Sequence, residues 1–243
     1  MKTIRESGKI NIISNIGDGS GRRVANDFLN KLTVEFAKQS TKYINEVYEA
    51  PFAYKEKQLH SIIAPSIAKL TNAFIMECPV SRQWSKIRKQ NYEDSHGWLD
   101  YWCRYRGVDF FIEIKHNYVS FKTINIRKNS HENWDYMNNR QLNLVKKEAK
   151  IYKDYSKGVL LISFHVITIY DYLQKRKKTK CFDDKERLIM AQKNYYENLK
   201  PSPNWSNLWI LKNDLVRNSS EESKTHKTYY PGLIFISKVH EII

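Results

Sequence analysis

Asp100, Glu113 and Lys115 are the residues whose types and spacing best suit chemistry. They lie in residues 97–116, two runs rich in apolar residues on either side of Arg106-Gly107. That dipeptide suits a two-residue hairpin turn, with Gly supplying the positive φ such turns need. With the turn there, Tyr105 pairs with Val108, Asp100 falls opposite Glu113, and Trp98 falls opposite Lys115. Side chains alternate along a strand, so one face carries Leu99, Tyr101, Cys103, Val108, Phe110, Ile112 and Ile114. It is expected to pack on a helix. The other face carries Trp98, Asp100, Trp102, Arg104, Asp109, Phe111, Glu113 and Lys115. Directly opposed partners have Cβ atoms roughly 5 Å apart, and two carboxylates at that distance repel. A divalent cation between them removes the repulsion, and hard oxygen ligands suit Mg²⁺. Such an ion activates water and polarises a phosphoryl oxygen. Lys115 adds positive charge where negative charge develops. The chemistry such a set could support is metal-assisted hydrolysis.

The elements that must position the hairpin are legible from periodicity. Residues 17–21 (Gly-Asp-Gly-Ser-Gly) lack the Gly-Lys-Ser/Thr ending of a phosphate-cradling loop and lead into a helix over 22–48. A second helix is expected over 54–70, buried through Leu59, Ile62, Ile63, Ile67 and Leu70, with Pro65 kinking or dividing it. Residues 73–79 read as a strand and 81–96 as a polar, basic connection. After the hairpin, loop-like sequence runs to about 133. A helix follows over 136–155, with Met137, Leu142, Val145, Ala149 and Tyr152 as its stripe. Residues 159–169 form a β-branched, buried strand. A helix over 184–199 and strands over 207–211 and 232–239 follow, with an exposed loop over 219–227. This order predicts a mixed sheet with helices against its faces.

Asp, a hairpin turn, then Glu113-Ile114-Lys115 closing a hydrophobic strand resembles the PD-(D/E)XK, or restriction-endonuclease-like, nuclease superfamily. The resemblance implies that Asp100 and Glu113 bind Mg²⁺, that the Ile114 carbonyl is a further ligand, and that Lys115 assists the attacking water or the charged transition state. The family core of helix, three strands, helix and strand can be laid over residues 54–169. Leu99 stands where the family name has Pro. The family often draws a metal ligand from the helix before the sheet. Glu56 fills that position, on one face with Leu59, His60 and Ile63, although a first-turn Glu also simply favours the helix dipole. Glu77, ending the first strand, is its rival. Gln141 occupies a place where some exonuclease-like relatives carry a supporting Gln. His116 points to the apolar face and is expected to be structural. Glu148-Ala-Lys150, Glu222-Ser-Lys224 and Asp183-Asp-Lys185 also resemble the short motif, but no hairpin aims an Asp at them. The fold class implied is α/β (α+β): a restriction-endonuclease-like core, a mixed central sheet flanked by helices, an N-terminal helix and a C-terminal α+β extension. The divisions are an N-terminal helical extension over 1–50, the nuclease core over 51–170, and a C-terminal extension of the same domain over 171–243.

Composition bounds the partner. The 243 residues hold 41 Lys and Arg against 26 Asp and Glu, a formal net charge of +15 that favours a polyanion. Apolar residues make up 41 %, enough for a core. The three cysteines form no CxxC pair, which argues against a zinc site and suits a reducing cytoplasm. No signal-peptide block or bilayer-spanning run is present. Lys175, Arg176, Lys177 and Lys178 suit phosphate contacts, and Trp98 and Trp102 could stack on bases. Each set has a bland alternative, a solvated loop and packing beneath a helix. The function expected is a Mg²⁺-dependent nuclease, with Mn²⁺ able to substitute, acting on DNA as an endonuclease of restriction or anti-phage defence type. The alternatives are a nucleic-acid-binding module without catalysis, or an exonuclease, resolvase or RNase. A homodimer or a defence-system partner protein is compatible with such a role, and no membrane is expected.

Overall fold

In the computed structural model both turn residues, Arg106 and Gly107, have positive φ, 51° and 81°, and Tyr105 pairs with Val108. The hairpin turn therefore forms where its residues favour it. The structure describes residues 1–19, 21–82, 95–174 and 184–242, without the side chains of 81, 82, 95, 96 and 174.

Strands β1 (Lys2–Ile4) and β2 (Gly8–Ser14) open the chain, followed by α1 (Arg22–Val47) and α2 (Glu56–Ala68). Then come β3 (Phe74–Arg82), β4 (Ser95–Tyr105), β5 (Val108–Ser120), α3 (Lys128–Tyr136), a π-helical turn (Met137–Gln141) and α4 (Leu142–Ile151). After a 3₁₀ turn (Tyr152–Tyr155) the chain forms β6 (Gly158–Gln174), α5 (Lys185–Asn198), β7 (Trp205–Leu211), α6 (Asn213–Asn218), β8 (Glu221–Glu222) and β9 (His226–Glu241). Among the described residues, the strands join in one nine-stranded sheet, ordered β1-β2-β7-β9-β6-β5-β4-β3, with β8 paired to β9. Among the described residues only β5 and β6 run parallel, from Val108↔Gly158 to Ser120↔Tyr170. A parallel pair needs a crossover of a dozen or more residues, and the α3–α4 segment supplies it.

Alternation along β5 sorts the helices into two layers. Phe110, Ile112 and Ile114 join the cluster of α1 and α2, with Phe28, Leu32, Phe36, Leu59 and Ile63. Phe111 faces the opposite way and joins Leu142, Val145 and Ala149 of α4. Farther along that second face, Leu188, Ala191 and Tyr195 of α5 cover Ile167, Leu208 and Ile234. Each Leu, Ile, Val or Phe among these contributes about 1.5–3 kcal/mol when fully buried. The mixed α+β class with helices flanking the sheet thus holds.

Several expectations need correction. The N-terminal extension is not wholly helical, because residues 2–14 form β1 and β2 and extend the sheet beside β7. Pro65 lies inside α2 without dividing it. The carbonyl it leaves without a helical donor belongs to Ser61, which is exposed to water. The supposed loop to residue 133 gives way to α3 at Lys128. The supposed loop over 219–227 contains β8 and the start of β9.

Candidate active site

The β4–β5 ladder runs from Tyr105↔Val108 to Tyr101↔Ile112 and stops one step before the expected Asp100–Glu113 pair. On its other edge β5 stays paired to β6, through Glu113↔Ser163 and Lys115↔His165. Beyond the ladder, two carboxylates take over from β4 as acceptors. Ile114 N–H donates to Asp100 Oδ2 at 2.6 Å, and His116 N–H donates to Glu56 Oε2 at 3.2 Å. A buried backbone donor left unpaired costs about 1–3 kcal/mol, so these bonds secure the parting of the strands. N–H and C=O of one β residue point to the same side, so the Ile114 carbonyl also faces the parting.

The strand turns over where it parts. Met76↔Tyr101 and Cys78↔Leu99 pair across β3 and β4, but Glu77, with φ 47°, makes no pair with Asp100. Leu99, expected on one face with Tyr101, instead packs with Phe111 and α4, while Tyr101 packs with α1 and α2. Strict alternation fails because it assumes an unbroken ladder.

Three elements meet at this point. Glu56 comes from the first turn of α2, and its Oε1 lies 3.3 Å from Lys115 Nζ. Lys115 Nζ is also 3.8 Å from Glu113 Oε1, so one ammonium serves two carboxylates. Glu113 is almost wholly buried, and Gln141 Nε2 donates to its Oε1. Gln141 ends the π-helical turn that interrupts the crossover helix. Burial pushes the Asp100 carboxyl above its ordinary value, opposed by the Ile114 N–H and the Lys115 charge. His60, one turn along α2 from Glu56, holds the Tyr101 hydroxyl at 2.7 Å through Nδ1. His60 shares the inward face that helical spacing gives Glu56, and no motif marks it for this contact.

The remaining candidates divide. Glu77 is exposed and makes no hydrogen bond or ion pair with the cluster among the described residues. His116 is buried, bonded through Nε2 to Thr168 Oγ1 at 2.9 Å, and its pKa is pushed down to about 4 by burial. It is a structural neutral imidazole, as its face implied. Trp98 is 61 % exposed near Asp100. Trp102 is half-buried against Tyr152, with ring centroids 6.0 Å apart, so the stacking role suggested for it gives way to packing. Lys175, Arg176, Lys177 and Lys178 lie outside the described residues.

Among the described residues, no three His, Cys, Asp or Glu side chains stand together closely enough to hold a metal ion. The donor set of Asp100, Glu113 and the Ile114 carbonyl is nevertheless all hard oxygen, the chemistry Mg²⁺ prefers. Beside it, the buried Gln141 Oε1 has no hydrogen-bond partner. A buried polar atom of that kind suits the water shell of a bound ion. Among the described residues, no helix is long and apolar enough to cross a membrane. Comparison with protein-family models, curated proteins and solved structures returned no match.

Proposed function

We propose that this protein is a Mg²⁺-dependent nuclease of the PD-(D/E)XK type. The observation that carries the proposal is the convergence of Asp100, Glu56, Glu113 and Lys115 where β4 and β5 part. Asp100, Glu113 and the Ile114 carbonyl would hold the ion, with Glu56 a further carboxylate within reach of Lys115. Such an ion, when bound, supplies an activated water and polarisation of a phosphoryl oxygen. Lys115 contributes a fixed positive charge against the charge that develops on the phosphoryl group. Gln141 orients Glu113, and Asp100 is oriented by the Ile114 N–H. The order α2, β3, β4, β5, α3–α4, β6, with β5 and β6 parallel, supports the resemblance that the motif suggests.

The net charge of +15 supports a polyanionic substrate. DNA is the substrate we favour, cut internally as in restriction or defence. The ion pairs of Lys115 with Glu56 and Glu113 support a second reading, a nucleic-acid-binding module in which Lys115 neutralises the carboxylates and no metal enters. One assay separates the two. Supercoiled plasmid, linear duplex, single-stranded DNA and RNA are incubated with Mg²⁺, with Mn²⁺ and with EDTA. Nicking or linearisation of plasmid with either metal and none in EDTA is expected. Cleavage that persists in EDTA would rule out the metal mechanism, and binding without cleavage under every condition would leave the binding module.

A further inference from the structure

The helix that brings Gln141 to Glu113 presents a line of cations on its outer side. Arg140, Lys146, Lys147, Lys150 and Lys153 are all exposed, and within that span Glu148 is the sole acid. Glu148 is half-buried, and its charge bears on Cys78 and Tyr152 at the sheet side of the helix. Lys146, Lys150 and Lys153 follow one another at intervals of four and three residues, which sets them side by side on one stripe. Like charges at that spacing destabilise a helix, and surface helices commonly relieve them with intervening acids. Here none of the five side chains makes a hydrogen bond or ion pair among the described residues. The apolar side of α4, through Leu142, Val145 and Ala149, holds the helix against the sheet. The stripe starts beside the candidate site and ends near the hairpin turn, where Lys157 N–H donates to the Gly107 carbonyl at 2.8 Å.

We propose that the outer face of α4 is the surface along which the nucleic-acid backbone lies as it reaches the site. This rests on the nuclease reading and adds to it where the substrate docks. Charge complementarity argues for it. Lys146, Lys150 and Lys153 on one stripe, with Arg140 and Lys147 exposed beside them, make a polyanion's track, and its start beside Glu113 favours nucleic acid over a lipid surface. Each lysine that neutralises a phosphate on binding releases a counterion.

The test measures binding of a labelled duplex in EDTA, without cleavage, over a range of salt concentrations. The variant K146Q/K147Q/K150Q/K153Q is compared with wild type, with K146R/K147R/K150R/K153R, and with K185Q/K193Q on the exposed side of α5. Each neutralised contact lowers the slope of log affinity against log salt by about 0.9, so the glutamine variant is expected to lose roughly two to four units of slope. Its affinity at moderate salt is expected to fall at least about tenfold. The arginine variant and the α5 variant are expected to keep the wild-type slope. An unchanged slope in a glutamine variant that melts like wild type would overturn the proposal. So would a loss confined to anionic vesicles with nucleic-acid binding intact. A wild-type protein that binds with the α4-dependent slope but never cleaves would refute the nuclease reading and leave this surface standing. Metal-dependent cleavage with an α4-independent slope would do the reverse.

Discussion

Lys115 Nζ and Glu56 Oε1 lie 3.3 Å apart although 59 positions separate them in the chain. The contact ties the first turn of α2 to β5 at the point where β4 departs. Glu56 also accepts the His116 N–H through its second oxygen, so the residue has a backbone duty and an electrostatic one.

Those two duties can be separated. Glu56→Gln keeps an acceptor for His116 N–H and removes the charge beside Lys115. Its melting temperature is expected to stay near wild type. Cleavage is expected to fall about 10- to 100-fold, the usual cost of disturbing groups around a metal, and to need more Mg²⁺. Glu77→Gln is expected to cut normally. A Glu56→Gln enzyme with an unshifted Mg²⁺ titration would remove Glu56 from the site.

Lys115→Ala tests the charge itself. Removing one group that stabilises transition-state charge costs about 10²–10³ in rate, and a loss at least that large is expected with DNA binding retained. Glu222→Ala, in a motif at the β8–β9 turn where Glu222 stands opposite Lys227 and not an Asp, is expected to cut at the wild-type rate. Single-turnover cleavage gives the comparison, and an active Lys115→Ala beside a dead Glu222→Ala would show the wrong motif was chosen.

Gln141 acts on Glu113 and touches no substrate in this scheme. Gln141→Leu is expected to lower cleavage about 10- to 100-fold by releasing Glu113 from its donor. Gln141→Asn, with a shorter reach, is expected to fall between Leu and wild type. Mg²⁺ dependence identifies the role: a positioning residue shifts the metal requirement, whereas a purely structural one moves only the melting temperature.

Stability is expected to fall in mild acid. Burial pushes His165 and His240 down to about 3 and about 4, so the folded protein holds both neutral. In the unfolded chain they titrate near about 6.5. Between those values the unfolded state binds more protons, so stability is full above the unfolded value. It declines as pH falls towards the folded values, by at most about 1.4 kcal/mol per histidine per pH unit. Urea midpoints at pH 7.5 and pH 5 measure the decline, and His165→Gln is expected to shrink it. Midpoints that do not differ would mean the folded state admits the protonated rings.

The hairpin was the most legible part of the chain because its turn, Arg106-Gly107, and its alternation both report local geometry. Helices α1, α2 and α5 and strands β6, β7 and β9 were visible through periodicity, with ends displaced by a few residues. What sequence could not supply was the end of the β4–β5 ladder. Whether a ladder stops depends on acceptors delivered from elsewhere, here the Asp100 and Glu56 carboxylates. The same ignorance put Leu99 on the wrong face. Strands β1 and β2 went unassigned, since a short edge hairpin gains its stability from the sheet it joins. The π-helical turn did leave a trace. Met137 and Leu142 stand five apart in the buried stripe, a step too long for an α-helix, and that spacing places Gln141 between them.

That turn has a consequence for how the chain tolerates change in length. Ser130 and Trp134 are buried before it, Met137 at its start, and Leu142, Val145 and Ala149 after it, on a stripe displaced by about one residue. Deleting a single residue from 137–140 would close the widened turn, and Leu142, Val145 and Ala149 would then follow Ser130, Trp134 and Met137 on one continuous α-helical stripe. Val145 and Ala149 would keep facing the sheet, and the change would fall on the widened turn that presents Gln141 to Glu113. Loops of this protein are free to gain or lose residues as surface loops commonly do. Along this stretch the packing would survive the loss of one residue, and the aim of Gln141 at Glu113 is what the extra residue sets.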